Sequence, residues 1–167
     1  MNITCFHENC AESGGLLLGK SRICIPGTFK WFIQSQPAGK DAKVHISIYM
    51  FNIQVIEIDA HTLTVSMFLK TSWQEYRLKL FTTTDGEKIF LSTDEQKEMW
   101  LPEIFIATVS INIQGEEFSV SKIMGRMDPP ATLASKNIFL TTRVKCEMEF
   151  HDFPFDKHVC NLEVKYR

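Results

Sequence analysis

Cysteine supplies the most reactive side chains in this sequence, with five at positions 5, 10, 24, 146 and 160. The odd count leaves at least one thiol free or bonded to another chain. Cys5-Phe6-His7-Glu8-Asn9-Cys10, with Cys24 beyond it, offers thiolate and imidazole groups of the kind that hold zinc. In an oxidising compartment the same cysteines make a local disulfide instead; that is the preferred reading, and no metal is expected. His151-Asp152 could belong to a nucleophilic triad, yet no nucleophile stands in a recognisable motif and no glycine-rich phosphate loop is present. Neither an enzyme nor a cofactor is expected. Asn2-Ile3-Thr4 is a glycosylation acceptor triplet, meaningful only in a secretory context.

The 167 residues suit one domain, and 44% hydrophobic with 23% charged residues is the balance of a folded chain. A formal net charge of -2, with 18 basic and 20 acidic side chains interspersed, provides no basic field for nucleic acid. The longest apolar stretch, near Ile104 to Val109, falls far short of the roughly 20 residues of a membrane helix. Leu16-Leu17-Leu18 is too short for the apolar core of a secretion signal.

Any site must therefore be held by strands, because period-two alternation is the strongest local pattern. Val44, Ile46, Ile48 and Met50 alternate with His45, Ser47 and Tyr49, and after Phe51 the pattern shifts, predicting a bulge or strand end. Leu63, Val65, Met67 and Leu69 form one face; Thr64, Ser66, Phe68 and Lys70 form the other. Thr84-Asp85-Gly86-Glu87 predicts a hairpin turn between Leu78-Leu80 and Ile89-Leu91. Residues 118 to 127 are ambiguous, and Asp128-Pro129-Pro130 stops any regular element. Val144, Cys146, Met148 and Phe150 alternate against charged neighbours, and Leu162, Val164 and Tyr166 mark a last strand. With no convincing helix, the pattern predicts an all-β sandwich of immunoglobulin-like type.

Thirteen residues separate Cys146 from Cys160, with Phe153-Pro154-Phe155-Asp156 at the centre. Spacing, inner motif and flanking strands together resemble the signature loop of the Cys-loop (pentameric) ligand-gated ion channel receptors. Ile25-Pro26, Trp73-Gln74-Glu75-Tyr76-Arg77-Leu78 and Trp100-Leu101-Pro102-Glu103 resemble further landmarks of that family, in its order. Glu75 and Glu103 stand where aspartate is usual. The resemblance covers residues 23–167, the extracellular ligand-binding domain, and leaves 1–22 as an N-terminal tail. It implies a Cys146–Cys160 disulfide, a cis bond at Phe153-Pro154, and a gating loop of Phe153, Pro154, Phe155 and Asp156 that faces a membrane domain. Trp73, Arg77, Trp100 and Pro102 would be structural.

It also implies a pentamer, homomeric or heteromeric, that binds a small transmitter-like ligand between subunits. Phe68 and Lys70, with Asn137 and Phe139 and then Thr141 along the same face, would form the complementary side. A cation beside an aromatic wall suits a carboxylate, although lysine gives a point charge where arginine gives a fork. Ala107, Thr108, Tyr166 and Arg167 would mark the principal side, where Ala107 leaves an aromatic box short of a wall. The third principal loop and the four membrane helices would lie beyond Arg167, so membrane attachment would come only through a missing C-terminal part. The expected location is the outer side of the plasma membrane, or secretion if the chain truly ends at Arg167. Two other readings are a soluble pentameric transmitter-binding protein and an unrelated disulfide-stapled adhesion sandwich.

Overall fold

The computed structural model describes residues 3–31, 33–37, 43–57, 61–82, 84–123, 131–152 and 155–166; the side chains of 3, 54–57, 123, 131 and 166 are not considered. The chain runs α1 (Ile3–Glu12), β1 (Leu16–Leu18), β2 (Ile23–Ile25), β3 (Val44–Glu57), β4 (Thr62–Gln74), β5 (Lys79–Leu80) and β6 (Lys88–Phe90). It continues through α2 (Thr93–Gln96), β7 (Ile104–Ala107), β8 (Ser110–Ile123), β9 (Ala131–Met148), β10 (His158–Cys160) and β11 (Glu163–Tyr166). The fold is all-β, with strand orders β1-β2-β5, β3-β4-β9-β8-β6 with β10 on β9, and β11-β7. Two compact units are built from interleaved segments, and the long strands contribute to both.

Unit 1 comprises Met1–Ile46, Thr71–Pro102 and Glu117–Lys136. Its main core joins Leu18, Ile23 and Ile25 from β1 and β2 to Trp73, Ile89, Phe118, Val120 and Ala134 from β4, β6, β8 and β9. Burying each large side chain contributes about 1.5–3 kcal/mol, so this core is the main source of the unit's stability. Trp73 lies edge-on to Trp100 at 5.7 Å and tilted against Phe118 at 5.8 Å. Beside it Arg77, 2% exposed, grips the fully buried Glu75 with Nε at 2.6 Å and Nη2 at 2.7 Å. Arg77 Nη1 also donates to the Ser35 carbonyl at 2.8 Å, so the buried charges are satisfied as burial requires. Pro102 is buried as well.

Unit 2 comprises Ser47–Lys70, Glu103–Glu116 and Asn137–Arg167. Its core is smaller: Val65, Met67, Leu69, Leu140 and Val144, covered by Ile104, Ile106 and Leu162 from the second layer. That layer is the antiparallel β7–β11 pair, in which Ile104 faces Tyr166 and Ala107 faces Glu163.

The structure departs from the sequence reading in four places. Residues 3–12 form a helix, which the pattern missed because its inward face carries only Phe6 and Cys10, sealed by Cys24. The strand predicted to break after Phe51 runs unbroken from Val44 to Glu57. It is an edge strand, and Ile46 and Met50 of its supposed buried face are exposed. The turn at Thr84–Glu87 exists, with Gly86 at φ +71°, yet it joins β5, paired with β2, to β6, paired with β8. It is no hairpin, because the flanking strands belong to different sheets. Most of the ambiguous segment is strand, the end of β8.

Candidate ligand-binding face and disulfide loop

Burial along β4 alternates from Met67 onward, with Met67, Leu69, Thr71 and Trp73 buried while Phe68, Lys70 and Ser72 are half-exposed. Strand geometry sends these two sets to opposite faces. On the outward face Phe68 meets Phe139 of β9, ring centroids 4.6 Å apart, and Tyr49 of β3 at 6.1 Å. Phe139 is 46% exposed and Tyr49 58% exposed, so the aromatic row presents open ring surface.

Two residues along, Ser66 and Thr141 share a 3.0 Å hydrogen bond, and Gln114 Nε2 donates to the Thr141 hydroxyl at 2.8 Å. The β4–β9 pairing steps antiparallel through Ser66 with Thr141 and Phe68 with Phe139, and the same stepping puts Lys70 across from Asn137. Asn137 is buried and Lys70 half-buried. Among the described residues Lys70 makes no ion pair. The face therefore runs from hydroxyls through aromatic rings to a cation, a gradient suited to a small ligand with one anionic end.

The structure brings Phe68, Lys70, Asn137 and Phe139 onto one pair of strands. The principal-side residues are spread out: Ala107 is exposed at one end of the β7–β11 ladder, and Tyr166 pairs at the other. Three residues of strand separate those ends, about 10 Å. Thr108, half-buried, donates to the Ser110 carbonyl at 3.3 Å. The Tyr166 side chain and Arg167 lie outside the described residues. Sequence reading passed over Tyr49, Ser66 and Gln114. Alternation already placed Tyr49 on a polar face and Ser66 beside Phe68, but nothing in the sequence signalled Gln114.

Cys146 and Cys160 are bonded, facing each other across the β9–β10 ladder. Their loop is held by Asp156 Oδ1 accepting from the Asp152 N–H at 2.9 Å and by the Phe155 N–H donating to the Asp152 carbonyl at 2.6 Å. Phe155 is 84% exposed, an apolar side chain offered to solvent. Phe153 and Pro154, with the expected cis bond, lie outside the described residues. Cys10 and Cys24 form a second disulfide, resolving the choice between zinc and disulfide at that cluster. Cys5 stays outside both bonds, exposed, its sulfur 3.6 Å from Asn9 Nδ2. No group of ligating side chains suited to a metal occurs among the described residues.

A two-layer β fold with a thirteen-residue disulfide loop defines a class of ligand-recognition domain. The family described as "Neurotransmitter-gated ion-channel ligand binding domain" matches residues 30–166, and the chain belongs to it. The gamma-aminobutyric acid receptor subunit theta of Mus musculus is 25% identical over 158 residues, covering 95% of this chain and 24% of its own length. The gamma-aminobutyric acid receptor subunit rho-3 of Rattus norvegicus is 27% identical over 127 residues, 76% of this chain and 27% of the relative. The rho-1 subunit of Homo sapiens is 23% identical over 129 residues, 77% of this chain and 25% of the relative. The chain thus spans about a quarter of the length of the curated relatives it matches. No helix among the described residues is long and apolar enough to cross a membrane.

Proposed function

We propose that this domain supplies the complementary half of an intersubunit site for a small amino-carboxylate, such as gamma-aminobutyric acid, in a transmitter-gated channel of the outer cell surface. One observation carries the reading: the half-exposed Phe68 packs on the exposed Phe139, two residues along the strand from the half-buried Lys70. Lys70 holds the carboxylate, and Phe68, Phe139 and Tyr49 wall the methylene chain. The Ser66–Thr141 hydroxyls lie beyond the rings, at the end of the face away from Lys70. A neighbouring subunit of a pentamer supplies the ammonium end from its principal face. Ala107 and Thr108 of this chain, with Tyr166 and Arg167, occupy that face toward the next neighbour, where Ala107 provides no ring for a bulky quaternary ammonium. The Cys146–Cys160 loop, with Phe153, Pro154, Phe155 and Asp156, passes the binding signal toward the pore.

The test is an agonist dose-response on an assembled receptor carrying this chain. Phe68→Ala removes a half-exposed ring and should leave assembly intact while raising the half-maximal concentration of gamma-aminobutyric acid by roughly tenfold, the worth of one aromatic contact. An unshifted curve with normal surface assembly would remove Phe68 from the site.

A further inference from the structure

Unit 1 contains an open pocket of about 290 Å³ between α1 and the β2–β5 strands, lined by Phe6, Asn9, Cys10, Ser13, Cys24, Lys79 and Leu80. Every lining residue belongs to unit 1, whereas the aromatic face described above belongs to unit 2. Positions 6, 9 and 10 share one face of α1 and Ser13 follows its last turn, so that face and the helix end make one wall. The floor is apolar, made by Phe6, Leu80 and the Cys10–Cys24 disulfide, with Phe6 backed by Phe81 at 5.6 Å. The β2–β5 ladder sets Lys79, an exposed residue that also lines the pocket, directly across from Cys24. Lys79 makes no ion pair among the described residues. Ser13 Oγ donates to the Cys10 carbonyl at 2.8 Å and keeps lone pairs to accept with.

The pocket opens to solvent where Asn9, Ser13 and Lys79 are exposed. A single cation at the rim, an apolar floor and hydroxyl and amide groups between them fit one ligand chemistry. We infer that this cavity binds a small carboxylate with a compact apolar body, its anionic end on Lys79 and its body against Phe6 and the disulfide. Such a ligand bridges α1 to β5 and ties the helix to the unit beyond what the disulfide does. The inference is independent of the function proposed for Phe68 and Lys70.

Titrating the 167-residue chain with sodium benzoate, followed by amide chemical shifts, tests it, with benzamide as the uncharged isostere. Saturable shifts at Phe6, Asn9, Ser13, Cys24 and Leu80 are expected with benzoate and not with benzamide. Lys79→Gln, at an exposed position, should weaken binding roughly fivefold, what an exposed charge pair contributes. Asn9→Trp should fill the cavity and abolish the shifts. No saturation at millimolar benzoate, equal saturation by benzamide, or shifts undiminished in both variants would overturn it.

Discussion

The two units spend their aromatic residues differently. In unit 1, Trp73 and Phe118 are at most 1% exposed in the core, and a bidentate ion pair is buried as well, although Trp31, Tyr76 and Phe90 remain exposed. In unit 2, Tyr49, Phe139 and Phe155 stand in solvent over a core cluster of five buried residues among those described. Exposed rings cost hydration free energy that a protein recovers when something covers them. Among the described residues unit 1 therefore holds the larger core, and unit 2 combines a small core with an open aromatic face.

Substitutions that separate stability from recognition sharpen this contrast. Arg77→Ala, which strands the buried Glu75 carboxylate, should destabilise the chain by about 3–5 kcal/mol, read by chemical denaturation. A loss under 1 kcal/mol would mean that unit 1 is not the stabilising half. Replacing both Cys146 and Cys160 by serine reopens the thirteen-residue loop and should cost about 3 kcal/mol, with the larger effect on gating if the loop couples to a pore. An unchanged denaturation midpoint would reduce the loop to decoration.

The smallest effect concerns acid. The Thr82 hydroxyl and then Arg22 hold the Glu87 carboxyl below its ordinary value. At Glu95 burial pushes upward, but hydrogen bonds from Ser92 and the Gly19 N–H outweigh it and the net shift is down. A carboxyl depressed in the folded state stabilises above the unfolded carboxylate range and loses that contribution as pH falls through its folded value. Glu87→Gln should therefore lower stability slightly at neutral pH and flatten the acid limb, the variant and the parent converging at low pH. A steeper acid limb in the variant would reverse the assignment.

How much of this was readable in the sequence follows from how local each signal is. The sandwich class and the outward set of Phe68 and Lys70 were legible because period-two alternation acts over a few residues, whereas the Cys146–Cys160 loop and Phe139 came from the family resemblance and its offsets. The α1 helix was not, since its stability comes from a disulfide to Cys24 and from Phe81, both distant in sequence. Tyr49 joins the aromatic row only through strand pairing. The exposure of Met50 likewise follows from an edge position that no local pattern encodes.

The central claim is that the outward face of unit 2 receives the anionic end of a ligand at Lys70. Dose-response curves for Lys70→Ala in an assembled receptor carrying this chain test it most directly, with gamma-aminobutyric acid and an uncharged agonist applied in parallel. A charge-assisted hydrogen bond is worth about 1.5–3 kcal/mol, so the carboxylate agonist should lose roughly 10- to 100-fold in potency and the uncharged one little. An unchanged half-maximal concentration for the carboxylate agonist would contradict the account and return Lys70 to the solvated surface lysines.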